Sequence, residues 1–261
     1  MATLTETIVA LGTTMNDIHD KKIILLFICG FLFALSAFTG CAEQSVTYTE
    51  PLHCPDFPVI HSGEATFYFP GTGPDSAGSC GFVLSSADTL VGAMNLVDYE
   101  NSKMCGACVG ITGPKGTVVV KIVDLCPECP EGNIDLSPQA FAQIADTILG
   151  RVPIQWQLLA SDVNGPIVYH FKSGSSQWWT AVQIRNHRYP IFSLEYLTPQ
   201  HTFQQINRTD YNYFVVNGGI GPGPYTFRVT DIYGHGLVDS AVVFDTTNDV
   251  AGHGQFPLCG H

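Results

Sequence analysis

From His61 onward the chain is written in short strand-like runs, each cut off by glycine or proline, and only one segment carries a clear helix signal. EATFYF, LVGAMNLV, CVGIT, TVVVKIVDL and VPIQWQLLA follow one another up to residue 160. Their β-branched and aromatic residues suit a pleated, half-buried surface, and the Gly- and Pro-rich stretches between them are turns. GITGPKGTVVVKIVD reads as a hairpin closed by Gly-Pro-Lys-Gly, and Trp156 reads as core. The helix starts at Ser137, a good N-cap, with Pro138 in the first turn; Ala140, Phe141, Ile144, Ala145 and Ile148 repeat at helical spacing. After the short Asp162–Pro166 link everything is again strand and turn: IVYHFK, TAVQIRN, IFSLEYL, YFVVN, PYTFRVTDIYG, LVDSAVVF. About six to eight such runs at roughly ten-residue spacing predict an all-β sandwich. The link is too short for a free tether, so the two halves, 61–162 and 165–261, are expected to sit close.

Ahead of them lies an apolar run, Ile23 to Gly40, preceded by Lys21-Lys22. It reads as a secretory signal within residues 1–42, or as an uncleaved anchor leaving residues after 43 outside; 43–60 is a linker. Export changes the meaning of the nine cysteines. Cys105-x2-Cys108 and Cys126-x2-Cys129 have zinc-knuckle spacing, but in an oxidising compartment disulfides are the expected state, with no metal and no cofactor. Without Cys29 and Cys41, seven remain, so one is free or joined elsewhere. Net charge −12 with only 11 Lys+Arg argues against nucleic acid and anionic membranes as partners. Asn207-Arg208-Thr209 is a glycosylation acceptor.

Two features carry candidate chemistry. Trp178 and Trp179 are adjacent, so an ordinary strand would bury one and expose the other. If Gly174-Ser175-Ser176 is still turn, both rings lie on the surface as a flat grip for sugar rings. Asp124 ends a Val/Ile strand and Asp135 precedes the capped helix, with Cys126 and Cys129 pinning the loop between them. Both acids then face one rim of a barrel, where burial raises a carboxyl pKa toward general-acid use. The plainer reading is that Asp135 braces the helix start. His61 and His187 lack metal-ligand spacing and read as scaffold.

EATFYF, Cys80-Gly81-Phe82, CGACVGITGPKGTVVVKIVDLCPECPEGNIDLSPQAFAQIA and GSSQWWTAVQIRNHRYPIFSLEY together resemble expansins and expansin-like proteins of microbial and amoebal type. The resemblance spans residues 61–258. It implies a mainly β chain: a six-stranded double-psi β-barrel followed by an immunoglobulin-like β-sandwich that binds cellulose. It implies wall loosening by disruption of glucan–glucan contacts without hydrolysis. Asp135 matches the aspartate on which that activity depends, with Asp124 and Thr66 beside it in the groove. Trp178, Trp179 and Tyr196 match the sugar-binding row, with Lys172 next to it. Where the microbial pattern has a groove tyrosine, this chain has Cys126. The family's pairing implies Cys80–Cys105; for the others Cys108–Cys126 or Cys126–Cys129, and Cys54–Cys259, are expected.

Related inverting endoglucanases carry a base aspartate after a Thr-x-Tyr-x stretch. Here Thr66-Phe67-Tyr68-Phe69 is followed by Pro70, which cannot accept a proton from water, and Asp75 lies five residues further in a glycine-rich loop. Inversion needs an acid and a separate base, so the expectation is a non-enzymatic, monomeric protein acting on cellulose or a related β-glucan in an extracellular matrix or wall. The alternatives are a glycoside hydrolase or lytic transglycosylase, and an inert cellulose-anchored matrix protein.

Overall fold

A computed structural model describes residues 53–54, 59–73 and 76–259. The leader, Cys29, Cys41 and Asp75 lie outside the described residues, as does most of the linker. Among the described residues no helix is long and apolar enough to cross a membrane.

Six strands close a barrel: β1 (His61–Phe67), β2 (Val91–Asn95), β3 (Cys108–Thr112), β4 (Thr117–Cys126), β5 (Ile134–Leu136) and β6 (Val152–Leu159), in the order β1-β5-β2-β4-β3-β6. The β1–β5 and β2–β4 pairs are parallel and the rest antiparallel. Alternation sets the core. Val118, Val120 and Ile122 point in from β4, Val109 and Ile111 from β3, and Ile154 and Trp156 from β6. The Trp156 indole N–H donates to Gly132 O at 2.8 Å, so the one polar atom of that ring is satisfied inside the core.

The helix signal gives α2 (Pro138–Ile144), with Ser137 capping the Ala140 N–H. It is shorter than the periodicity predicts. Ala145 leaves the helix in extended conformation, and Ile148 falls in a 3₁₀ turn with its side chain exposed. A short helix α1 (Leu96–Tyr99), capped by Asn95, had no sequence counterpart because LVGAMNLV reads as one strand.

The second half is an immunoglobulin-like sandwich. One sheet orders β10 (Phe203–Gln205), β9 (Ile191–Leu197), β13 (Tyr225–Asp231) and β14 (Gly236–Val242). The other orders β11 (Asn207–Arg208), β12 (Phe214–Val216), β8 (Thr180–Arg185), β7 (Val168–Phe171) and β15 (Val250–Ala251). Tyr169, Phe171, Val182, Ile184, Leu194, Phe227 and Val229 fill the space between them. The ring of Tyr169 stacks on that of Phe227, and its hydroxyl donates to the buried Asp239 carboxylate.

Barrel and sandwich are joined by polar contacts. Gln183 Nε2 and Asn212 Nδ2 both donate to Cys80 O, at 2.9 and 3.2 Å. Tyr99 Oη donates to Asp210 O, Ser102 Oγ to Thr209 O, and Arg208 Nη1 to Ser102 O. Gln183 is fully buried, so a side chain on the outer face of β8 is spent on a barrel carbonyl. Arg208 is half-buried at the same seam, and desolvation lowers its pKa to about 9.

Three disulfides form: Cys54–Cys259, Cys80–Cys105 and Cys126–Cys129. Cys108, placed among the disulfide cysteines by the sequence, instead has no disulfide partner among the described residues and stands as a thiol. Its in-register partner on β4 is Lys121. Cys126 lies five residues further along that strand, roughly 17 Å away at the usual strand rise, far beyond disulfide reach.

Candidate functional site

Strand register brings the barrel's acids into one row. Thr66 on β1 lies opposite Asp135 on β5, Asp135 lies opposite Ala93 on β2, and Ala93 lies opposite Asp124 on β4. In-register neighbours point to the same face of a sheet, so Thr66, Asp135 and Asp124 share one floor with the small Ala93 between the acids.

Each acid is held differently. Thr66 Oγ1 donates to Asp135 Oδ1 at 2.5 Å. Burial pushes the Asp135 carboxyl above its ordinary pKa; the Thr66 hydrogen bond opposes this, Glu128 adds to it and Arg151 opposes it. Asp124 Oδ1 instead accepts two backbone N–H groups, from Ser79 at 2.6 Å and Leu125 at 2.9 Å. The loop reaches Asp124 because residue 78 is glycine: a Cβ there would stand 2.7 Å from Asp124 Cγ and 2.8 Å from Val123 O.

The chain entering β5 is fixed equally firmly. Asn133 Oδ1 accepts from Glu64 N, Asn95 Nδ2 donates to Asn133 O, and the Asp98 carboxylate accepts from Asn95 Nδ2 and Gly132 N. A Cβ on Gly63 would lie 2.2 Å from Gly132 O, so β1 passes directly over this loop. Asp135 thus sits on a braced strand, and the helix cap is made by Ser137. Ser137 caps the helix as expected, and the Asp135 side chain bonds Thr66 instead of bracing the helix start.

Tyr68 is the groove residue the sequence reading passed over. Its backbone N–H continues the ladder to Leu136 O, and its buried hydroxyl has no hydrogen-bond partner among the described residues. Burial, with the charges of Asp124 and Asp135, holds the phenol far above its usual pKa, so it remains a neutral donor. The period-two step from Thr66 is the signal that could have found it. Pro70 follows the exposed Phe69. Cys126 is buried in its disulfide with Cys129 and offers no hydroxyl to the groove.

On the sandwich, Ser176 and Trp179 exchange two backbone hydrogen bonds, which makes Gln177 and Trp178 the tip of a tight turn leading into β8. Trp178 is 72% exposed and Trp179 is half-buried. Gly219, with φ +69°, packs under this turn; a Cβ there would stand 2.0 Å from Gln177 O. Lys172 is exposed on the same sheet. Its Nζ lies 4.9 Å from the Tyr213 ring centroid, and Tyr213 packs 5.9 Å from Tyr211, which is 40% exposed.

Tyr196 is not part of this surface. It lies on β9 in the opposite sheet, in register with the fully buried Phe227, and packs on the sandwich core with its hydroxyl donating to Gln204 Oε1. Its in–out alternation follows Leu194, which faces the interior. The aromatic open to solvent on the Trp178 sheet is Tyr211.

The remaining candidates are plainly placed. Asn207 is exposed on β11, and the Thr209 hydroxyl of its motif donates to Tyr213 O. His61 stacks on the Trp156 indole at 3.8 Å. His187 is buried, and desolvation lowers its pKa to about 3, so it is neutral near pH 7. Cys54, His235 and Cys259 bring possible metal-ligand atoms together, but the two sulfurs are bonded to each other and neither is a thiolate.

A family model described as "Lytic transglycolase" matches residues 94–156, the stretch carrying Asp124 and Asp135. Expansin-YoaJ of Bacillus subtilis is 32% identical over 234 residues, 85% of this chain and 98% of that protein. Expansin-like protein 2 of Dictyostelium discoideum is 31% identical over 168 residues, 60% of this chain and 41% of that protein. The crystal structure of a mutant Clavibacter michiganensis expansin in complex with cellohexaose is 31% identical and matches with a TM-score of 0.71, covering 77% of this chain and 100% of that one. With a barrel, a sandwich and a near full-length relative all in agreement, the chain belongs to the expansin family.

Proposed function

We propose that this protein binds cellulose or a related β-glucan and loosens the wall by separating glucan chains without cutting them. The observation that carries this reading is the unequal pair on the barrel floor: a half-buried acid held by Thr66, with a proline at the position where a base would stand. Asp135 then hydrogen-bonds or protonates a glucan hydroxyl or glycosidic oxygen. Asp124 is about two strand spacings away, roughly 9–10 Å between backbones, but its Oδ1 is committed to two amides. A carboxylate so held is fixed in place, with one oxygen already engaged by the backbone. Tyr68 supplies a neutral donor to the same floor.

The sandwich supplies affinity. The Trp178 face, Trp179, Lys172 and Tyr211 form the sugar-contacting surface, Tyr211 taking the role first expected of Tyr196. The apolar face of a glucose ring stacks on indole while its hydroxyls reach the polar rim. Binding of cellohexaose by the related Clavibacter protein supports this ligand class. The three disulfides support an exported, oxidising location, with Asn207 open to glycosylation.

The test is incubation of purified protein with amorphous cellulose, following reducing ends and the mechanical weakening of a cellulose sheet together. A second reading rests on the family-model match over 94–156: lytic transglycosylation needs one carboxylate and leaves an anhydro-sugar end, which product mass spectrometry identifies.

A further inference from the structure

A cleft of 390 Å³ runs between barrel and sandwich and shares no lining residue with the Asp135 groove; Phe82, Cys108, Lys121, Ser161, Arg185 and His187 line it. Cys108, the first residue of β3, is the in-register partner of Lys121 in the middle of β4. Their neighbours Val109, Val120 and Ile122 are buried in the barrel, so alternation turns both side chains outward, toward the sandwich. Arg185 closes β8 on the other wall. Its Nε donates to Gln183 Oε1 and its Nη1 to Asp249 Oδ2.

Two buried polar atoms there are unspent. Ser161 and His187 are 6% and 5% exposed, and Ser161 Oγ and His187 Nδ1 have no hydrogen-bond partner among the described residues. Buried polar groups are nearly always paired, and here they line a cleft with a free thiol and two cations. The volume falls within the usual range for small-molecule sites. Asp162 also lines the cleft and Asp249 pairs with Arg185, so two acids offset the two cations and a ligand's carboxylates would be held by directed hydrogen bonds and not by net charge.

We propose that this cleft is a thiol-exchange site that takes a low-molecular-weight disulfide bearing carboxylates, with Cys108 capped as a mixed disulfide. The Cys108 thiolate attacks one sulfur of the small disulfide. The Sγ–S bond forms as the reagent's S–S bond breaks, and the departing half leaves with the electron pair as a thiolate that takes up a proton. The reagent is itself the oxidant. Lys121 and Arg185 hold the carboxylates, and Ser161 donates to a carbonyl or carboxylate oxygen of the retained half.

Glutathione disulfide and cystamine are suitable probes, since both carry the reactive bond and only the first carries carboxylates. The folded full chain is incubated with each, and adducts are located by intact-mass spectrometry and peptide mapping, which separates Cys108 from Cys29 and Cys41. The expected result is one glutathionyl group on Cys108, formed several-fold faster than the cystamine adduct. Arg185→Gln and Ser161→Ala, each confirmed folded by circular dichroism, should slow glutathionylation several-fold. Cystamine reacting as fast as glutathione disulfide would overturn the proposal. So would unchanged rates in both variants, or reaction at Cys108 only after denaturation.

Discussion

The hydroxyl of Thr66 donates to Asp135 Oδ1 across the parallel β1–β5 pair at 2.5 Å. It is a stabilising contact for the ionised acid, set against burial, which favours the neutral form. Replacing Thr66 by Val removes only the stabilising side. The Asp135 pKa should rise further, and the alkaline limb of a pH profile of cellulose weakening should move to higher pH. An unmoved profile would show that Asp135 does not set that limb.

The raised Asp135 pKa has a sign for stability. Between the ordinary aspartate pKa and the raised folded value, the native state holds a proton that the unfolded chain has lost, so stability falls as pH rises through that window. Asp135→Asn removes this slope. The variant should gain in melting temperature over the parent on going from acid to neutral pH, as read by calorimetry at several pH values, while losing cellulose weakening.

The exposed turn predicts a division of binding energy. Trp178→Ala should weaken cellulose binding by about 2 kcal/mol, in the range of an aromatic hot spot, with a smaller loss for the half-buried Trp179. Tyr211→Ala should also weaken it, and Tyr196→Phe should leave it unchanged because that phenol caps the core of the other sheet. Depletion isotherms on crystalline cellulose give all four values.

The seam between barrel and sandwich rests on Cys80 O, which accepts from Gln183 and Asn212. Gln183→Leu leaves Cys80 O with one donor and strands Arg185 Nε, at a cost of about 1–3 kcal/mol. Urea unfolding should show that loss, with cellulose binding by the folded variant retained.

The Cys54–Cys259 bridge closes a 205-residue separation. Chain-entropy arguments assign such a loop about 5 kcal/mol as an upper bound. Cys259→Ser should therefore lower the melting temperature substantially, while the short Cys126–Cys129 loop should matter less when opened by Cys129→Ser.

Much of this molecule was legible because its signals are local. Ser137 and Pro138 announce α2, Gly-Pro-Lys-Gly announces the β3–β4 hairpin, and the turn that follows Gly174–Ser176 puts Trp178, though not Trp179, at its tip. The family resemblance put Thr66, Asp135 and Asp124 in one groove; their shared row is set by pairing between distant segments, which spacing alone does not encode. The misses are matters of register and pairing. Tyr196 sits in a strand-patterned run and looked available, but its face is decided by Leu194 and Phe227 across the sheet. Tyr211 lies just ahead of the strand run YFVVN, in a turn through Asn212 that leaves its ring exposed and that no single residue type announces. Cys108 lies three residues from Cys105 in a knuckle-like pair, yet Cys105 is taken by Cys80 and strand register sets Cys108 opposite a lysine.

The central claim is that this barrel parts glucan chains and cannot sever them. The most direct measurement follows new chain ends, reducing and anhydro, released from amorphous cellulose while the same preparation is scored for mechanical weakening. The account predicts weakening that disappears in Asp135→Asn, with no ends released above background. Steady release of either kind of end, abolished by Asp135→Asn, would contradict it.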